Sequence, residues 1–154
     1  MVVADWAIHL GFPDPVAAYR GAYDSKESSE AFVAAAGGLV PIFEAGNASI
    51  GWVKVDRPQV GAVGVIGARD NWSKQMGAIF DGGHWQVFQQ PGWIALMAVP
   101  LAIWAAPVSS ASARRSSHEL CENFNTFFSF PIRLDETGAQ PLEPLRMPLR
   151  STWA

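Results

Sequence analysis

The sequence predicts an α+β fold in which N-terminal helices pack on an antiparallel sheet. Apolar residues recur at helical spacing in the N-terminal part, and short segments rich in β-branched and aromatic residues, separated by turn signals, follow. The 154 residues suffice for one domain with a hydrophobic core. Charged residues make up only 16% of the chain and aromatic residues 12%, which favours burial of some apolar surface against a partner.

Two helical segments are predicted at the N-terminus. Met1–Leu10 has apolar residues at helical spacing, and Gly11 can end this helix. Asp14 is typical of an N-cap, and Pro15 is favourable at the first helical position. We therefore expect a second, short helix that continues to about Arg20. Because no basic segment precedes an apolar core and cleavage site, no signal peptide is predicted.

Two further helical segments are predicted before the sheet. Asp24 and Glu27 have the spacing of a capping box, which predicts a helix over Lys26–Ala36. A pair of glycines then stops this helix. Leu39–Ala45 is predicted to form one more helical turn, with Gly46–Asn47 as its end.

From Ser49 onward the pattern is typical of a β-sheet. The predicted strands are Ser49–Val55, Val60–Ala68, Gln75–Phe80, His84–Gln90, Trp93–Val99 and Leu101–Ala105. Asp81–Gly83 can form a tight hairpin turn, and Pro91–Gly92 a second turn. In the fourth predicted strand alternation leaves one face mostly apolar. The last two are apolar on both faces, so we expect central strands covered on both sides.

The uncharged run from Trp93 to Val108 has an alternative interpretation as a membrane span. A spanning helix needs ~20 apolar residues, and this run is shorter. Pro100 and Pro107 interrupt it, and no Lys/Arg cluster precedes it. Buried strands are therefore the preferred interpretation.

The remaining motifs have ordinary structural roles. Gly61, Gly64 and Gly67 do not have the spacing of a nucleotide-binding loop, so close approach of neighbouring strands accounts for them better. The net charge of −3 gives no case for nucleic-acid binding. A single cysteine, Cys121, excludes an intramolecular disulfide and a cysteine-rich zinc site, and a semi-buried structural thiol is expected there.

The titratable residues also suggest no catalytic or metal site. None of the histidines lies at metal-ligand spacing from another histidine or a carboxylate; they are His9, His84 and His118. The aspartates that stand out have roles on a helix surface, in a cap and in a turn; they are Asp5, Asp14 and Asp81. The sequence therefore predicts no cofactor and no metal.

The composition changes again in residues 107–154, the C-terminal segment. A linker of small residues comes first, Thr126–Phe130 is an apolar patch, and Gly138–Arg150 repeats Pro-Leu in a manner typical of an extended arm. Such an arm either docks on a partner surface or is a disordered tail. The residues expected to contact a partner are Phe127, Phe128, Phe130, Leu142, Leu145, Met147, Leu149 and Trp153.

Two stretches carry a resemblance to a known family. They are VADWAIHLGFPDPVAAYRGAYDS, and MGAIFDGGHWQVFQQPGWIAL with the AIWA that follows. On them, residues 1–106 resemble a small domain encoded in tail gene clusters of phages and prophages. That domain is similar to the NlpC-type cysteine peptidases, papain-like enzymes that cut peptidoglycan stem peptides. The resemblance implies a papain-like α+β domain in a phage-tail setting.

The resemblance also implies where catalytic residues would lie. In active relatives a cysteine opens the first helix, and a histidine on a sheet strand serves as the base. In this chain the cysteine position would fall just before Met1, and Gln75 stands where the histidine would be. Glutamine is no general base near neutral pH. The resemblance therefore implies the fold and argues against the activity.

The expected function is a structural or assembly component of a phage tail, at the tail tip or baseplate near the hub. Its partners would be other tail proteins, and its location the virion after synthesis in the bacterial cytoplasm. One alternative is an active peptidase with a longer N-terminus and His84 as a substitute base. A weaker alternative is a small membrane-associated lysis protein, which depends only on the uncharged run described above.

Overall fold

The computed structural model describes residues 2–89, 92–107, 122 and 126–128. Its α-helices are α1 (Val2–His9), α2 (Lys26–Ala35) and α3 (Leu39–Ser49), with short 3₁₀ turns at Ala17–Tyr19 and Trp72–Lys74. Its strands are β1 (Val53–Lys54), β2 (Val63–Ile66), β3 (Met76–Phe80), β4 (Trp85–Gln89), β5 (Gly92–Leu96) and β6 (Pro100–Ala105). They form one six-stranded sheet in the order β1-β6-β2-β3-β4-β5, antiparallel throughout. The predicted α+β class is confirmed.

The helices cover one face of this sheet. Alternate residues of the inner strands, among them Val63, Val65 and Ile79, point toward the helices and are buried there with Trp6 and Trp104. The indole Nε1 of Trp6 donates a hydrogen bond of 2.9 Å to a backbone carbonyl just before β2. This bond ties α1 to the sheet inside the hydrophobic core.

The opposite face of the sheet has a second cluster around Trp85. A Cβ atom on Gly64 would lie 2.7 Å from the Trp85 ring, so the ring takes the space of the missing side chain. The close approach predicted for the glycine series is confirmed at this position. Trp85 and Val87 are both buried, which confirms the alternation predicted for this strand.

The predicted capping pair of α2 and the predicted end of α3 are wrong, although α2 begins at Lys26 as predicted. The capping box of α2 pairs Ser25 with Ser28, and not Asp24 with Glu27, because the two hydroxyl groups accept each other's backbone N–H. The third helix continues through Gly46–Asn47 to Ser49. Gly46 packs against the carbonyl of a neighbouring loop, and the side-chain amide of Asn47 donates to a carbonyl one turn earlier. Burial thus overrides the local stop signal.

The strand predictions fail mainly where local apolar composition misleads. Ser49–Val55 contains only the two-residue β1, since the helix extends to Ser49, and Val60–Ala68 contains only β2. The segment Trp93–Val99, predicted as a central strand, contains β5, which lies at the edge of the sheet. In contrast, the β6 segment lies between β1 and β2, as predicted. The short helix predicted after Asp14 and Pro15 is also wrong, since these two residues precede a single 3₁₀ turn, Ala17–Tyr19, whose N-cap is Val16.

The uncharged run considered as a membrane span forms β5 and β6 within residues 92–107. In the described part of the chain, no single helix has the length and apolar character to cross a membrane. The pair of helices α2 and α3, bent by 83°, meets that requirement by length and composition only.

The contact between Gly64 and Trp85 leads to a stability prediction. We expect Gly64→Ala to lower the free energy of unfolding by about 1–3 kcal/mol, because the new methyl group collides with the indole ring. Urea denaturation followed by tryptophan fluorescence measures the change. Gly92→Ala is the matched control, since a Cβ atom there meets nothing within 4 Å. Equal effects of the two substitutions would contradict the packing described for Trp85.

Candidate functional site

The start of α1 is the position to which the family resemblance draws attention. Its first turn lies on β3, where the Val3 side chain would be 3.1 Å from a Cβ atom on Gly77, and Phe43 of α3 would be 2.6 Å from it. An open cavity of about 270 Å³ lies beside this contact. Its lining comes from α1, α2, α3 and the strands β3 to β5, and apolar side chains dominate it.

The cavity lining has few polar side chains; they are Tyr23, Ser29 and Asn47. Asn47 donates from Nδ2 to the Phe43 carbonyl at 2.8 Å, so its amide is used inside α3. Burial raises the pKa of the Tyr23 phenol, and the nearby charge of Arg20 offsets this only in part. Tyr23 is therefore protonated at neutral pH. Among the described residues that line the cavity there is no histidine, cysteine or carboxylate.

Gln75, the residue expected to stand where the resembling peptidases have their histidine, makes two hydrogen bonds. Its Oε1 accepts from the backbone N–H of Leu39 at 2.9 Å, and its Nε2 donates to the Ala68 carbonyl at 3.3 Å. Leu39 is the first residue of α3, and its N-cap, Gly38, has no side chain to satisfy the exposed N–H groups. Gln75 therefore caps α3 from 36 residues away and ties it to the loop after β2.

His84, the substitute base of the peptidase alternative, lies elsewhere. It follows the β3–β4 turn, where its Nδ1 is 4.0 Å from a carboxylate oxygen of Asp81. Phe88 of the following strand, β4, lines the cavity, and four residues of extended chain place His84 ~13 Å from it. His9 stacks on Trp6 at the opposite end of α1, with 5.7 Å between ring centroids. The structure brings neither histidine to the start of α1.

A cluster of charges unites three residues that sequence reasoning treated separately. Arg20 contacts Asp5 at 3.3 Å and also forms a short ion pair with Asp14. Burial by itself would raise the pKa of the Asp14 carboxyl. The hydrogen bonds that Asp14 accepts from Arg20 and from the Val16 backbone, together with the positive charge of Arg20, outweigh burial, so the pKa of Asp14 is lowered. The hydrogen bond to Asp14 chiefly raises the pKa of Arg20. Arg20 thus links Asp14, in the loop after α1, to Asp5 of α1.

The turn predicted at Asp81–Gly83 is present. Asp81 Oδ1 accepts from the backbone N–H groups of Gly83 and His84 at 2.8 and 2.7 Å, and Oδ2 accepts from the amide of Gln86 at 2.7 Å. Burial works against ionisation here, but these hydrogen bonds prevail and lower the pKa of Asp81. This carboxylate is occupied by the turn.

Two of the residues expected to contact a partner lie on the domain's own surface. Phe127 packs edge-on against Trp6, and Phe128 against Trp93, with ring centroids 5.2 and 4.1 Å apart. Trp93 also lines the cavity, so this short helical turn lies beside the cavity wall. His118 and Cys121 lie outside the described residues. So do the other predicted contact residues, which are Phe130, Leu142, Leu145, Met147, Leu149 and Trp153.

The described residues of the site thus form an apolar recess without histidine, cysteine or carboxylate side chains. Within the described parts of the chain, no group of three histidine, cysteine or acidic residues could hold a metal ion. No protein-family model, no curated protein and no solved structure matches this chain. Sequence reasoning missed the distant cap at Gln75, although an N-cap glycine before Leu39 signals that the cap must come from elsewhere.

Replacing Gln75 tests its structural role. We expect Gln75→Ala to lower the free energy of unfolding by about 1–3 kcal/mol, because it leaves the Leu39 N–H and the Ala68 carbonyl without partners. Thermal and urea denaturation measure the change. Gln59→Ala, at an exposed position, is the control and should have little effect. A Gln75→Ala protein as stable as the wild type would show that the cap is dispensable.

Proposed function

We propose that this chain is a non-catalytic NlpC-like domain that serves as a structural or assembly component of a phage tail, at the tail tip or baseplate. The observation that carries the proposal is the use of Gln75 as the cap of α3, at the position where the resemblance expects the catalytic base. A residue with both amide ends engaged in the fold is a poor candidate for proton transfer.

The character of the cavity supports the same proposal. The described lining of the recess is mostly apolar and includes no acidic, histidine or cysteine side chain, which favours binding of apolar groups over hydrolysis. The alternative peptidase would need a base beside the start of α1. His84 is remote from that point along β4, which weighs against it in that role.

The surface composition also favours a role in assembly. Met97 and Val99 are more than four-fifths exposed, at 86% and 87%, and both follow the edge strand β5. Large exposed apolar side chains so close together in the sequence are typical of surfaces that bind other proteins. The proposed partners are neighbouring tail proteins, and the proposed location is the virion.

Incorporation into tail particles tests this function. We expect the chain in purified particles, and we expect serine at Leu142, Leu145, Met147 and Leu149 to lower its incorporation about tenfold or more, because apolar contacts are lost. Quantitative mass spectrometry of the particles measures it.

The matched control carries serine at Thr137 and Gln140 of the same segment and should be incorporated normally. Unchanged incorporation of the four-serine variant would contradict the role of the C-terminal segment. Absence of the wild-type chain from the particles would contradict the proposed function itself.

A further inference from the structure

Among the described residues, no strand pairs with the outer edge of β5. β5 is the outermost strand of the sheet and pairs only with β4 in the described structure. Proteins normally guard such edges with lysine, proline or a bulge, because unpaired backbone groups attract another strand. The sequence from Gly82 to Pro107 contains no lysine, arginine, aspartate or glutamate. Ile94, Met97 and Val99 are the exposed large apolar residues here, three of the five in the described structure.

The other edge of the sheet is different. β1 has only two residues, one of which is Lys54, and Lys54 lies near Glu44 and over the Trp104 ring. Asp56, Arg57 and Pro58 follow it closely. Charged residues, a proline and short length are the features that normally prevent an edge strand from pairing with another chain, and this edge has all three. Head-to-tail addition of one copy's β5 to another copy's β1 is therefore unfavourable.

The backbone pattern shows which groups of β5 are open. The Asp81 N–H donates to the His84 carbonyl at 3.0 Å, so Asp81 and His84 form a hydrogen-bonded pair between β3 and β4. In an antiparallel sheet, hydrogen-bonded and non-hydrogen-bonded pairs alternate along the strands, so successive residues of β4 bond in turn to β3 and to β5. By that alternation, Ile94 bonds to Val87 of β4. The backbone N–H and carbonyl groups of Trp93 and Ala95 consequently point away from β4, toward the open edge.

We propose that β5 pairs antiparallel with β5 of a second copy of this chain, which forms a two-fold symmetric dimer with a continuous sheet across both copies. The edge is uncharged and is complementary to itself, as a two-fold interface requires. The Pro-Leu repeat of the C-terminal segment is a poorer occupant, because prolines at 141, 144 and 148 donate no backbone hydrogen bond to a ladder. Pairing also brings the exposed Met97 and Val99 toward the second copy.

A charge at the open edge tests the dimer in the full-length protein. Ala95 is exposed, and a pairing register centred on it would bring residue 95 of each copy close to the other. We expect the wild type to be dimeric in sedimentation velocity at high micromolar concentration. Ala95→Lys should weaken the dimer about tenfold or more through repulsion of like charges, and Ala95→Glu should do the same. An equimolar mixture of the two variants should form a heterodimer.

Two further variants distinguish the loss of edge pairing from a general effect of added charge. Ala34→Lys makes the same substitution at an exposed position of α2 and should leave the dimer intact. Ala95→Pro removes the N–H that faces the open edge and spares the bonds to β4, so it should give a folded monomer. A monomeric wild type, a dimer that survives Ala95→Lys, or equal loss with Ala34→Lys would each overturn the proposal. Monomeric wild type would mean that another segment or another protein covers the edge.

Discussion

The hydrogen bond from the Trp6 indole to the Gly61 carbonyl is the contact on which the arrangement of this domain depends. Trp6 is fully buried, and a buried indole N–H must find an acceptor. Gly61 meets that need at a position with a φ of 85°, where a side chain would be strained. Because α1 is fixed in this way, its first turn rests on Gly77 and the cavity opens between the helices and the sheet.

The same arrangement decides what the domain is suited to do. The side chains around the start of α1 are used to hold helices in place: Gln75 caps α3, and Arg20 joins Asp5 to Asp14. Among the described residues, what remains exposed is an apolar recess and the apolar edge of β5. A domain built in this way is suited to binding other surfaces, which is the basis of the proposed role in assembly and of the proposed pairing through β5.

The elements that local chemistry determines were predictable from the sequence. The extents of α1 and α2, the turn at Asp81 and the strands β3, β4 and β6 follow from helical periodicity, from glycines and turn residues, and from short apolar segments. Predictions failed where distant contacts prevail: Gly46 and Asn47 have the local character of a helix end but are buried inside α3. The position of β5 was also beyond prediction, since an apolar strand looks the same whether its own domain or a partner covers it.

In the proposed role this domain holds proteins together and cuts no peptide bond. The most direct measurement is analysis by mass spectrometry of the fragments released when the full-length native protein is incubated with purified peptidoglycan. An active cell-wall cysteine peptidase serves as the positive control. We expect a fragment profile identical to that of buffer alone. Release of new stem-peptide fragments at a rate that rises with the concentration of this protein would contradict the non-catalytic role.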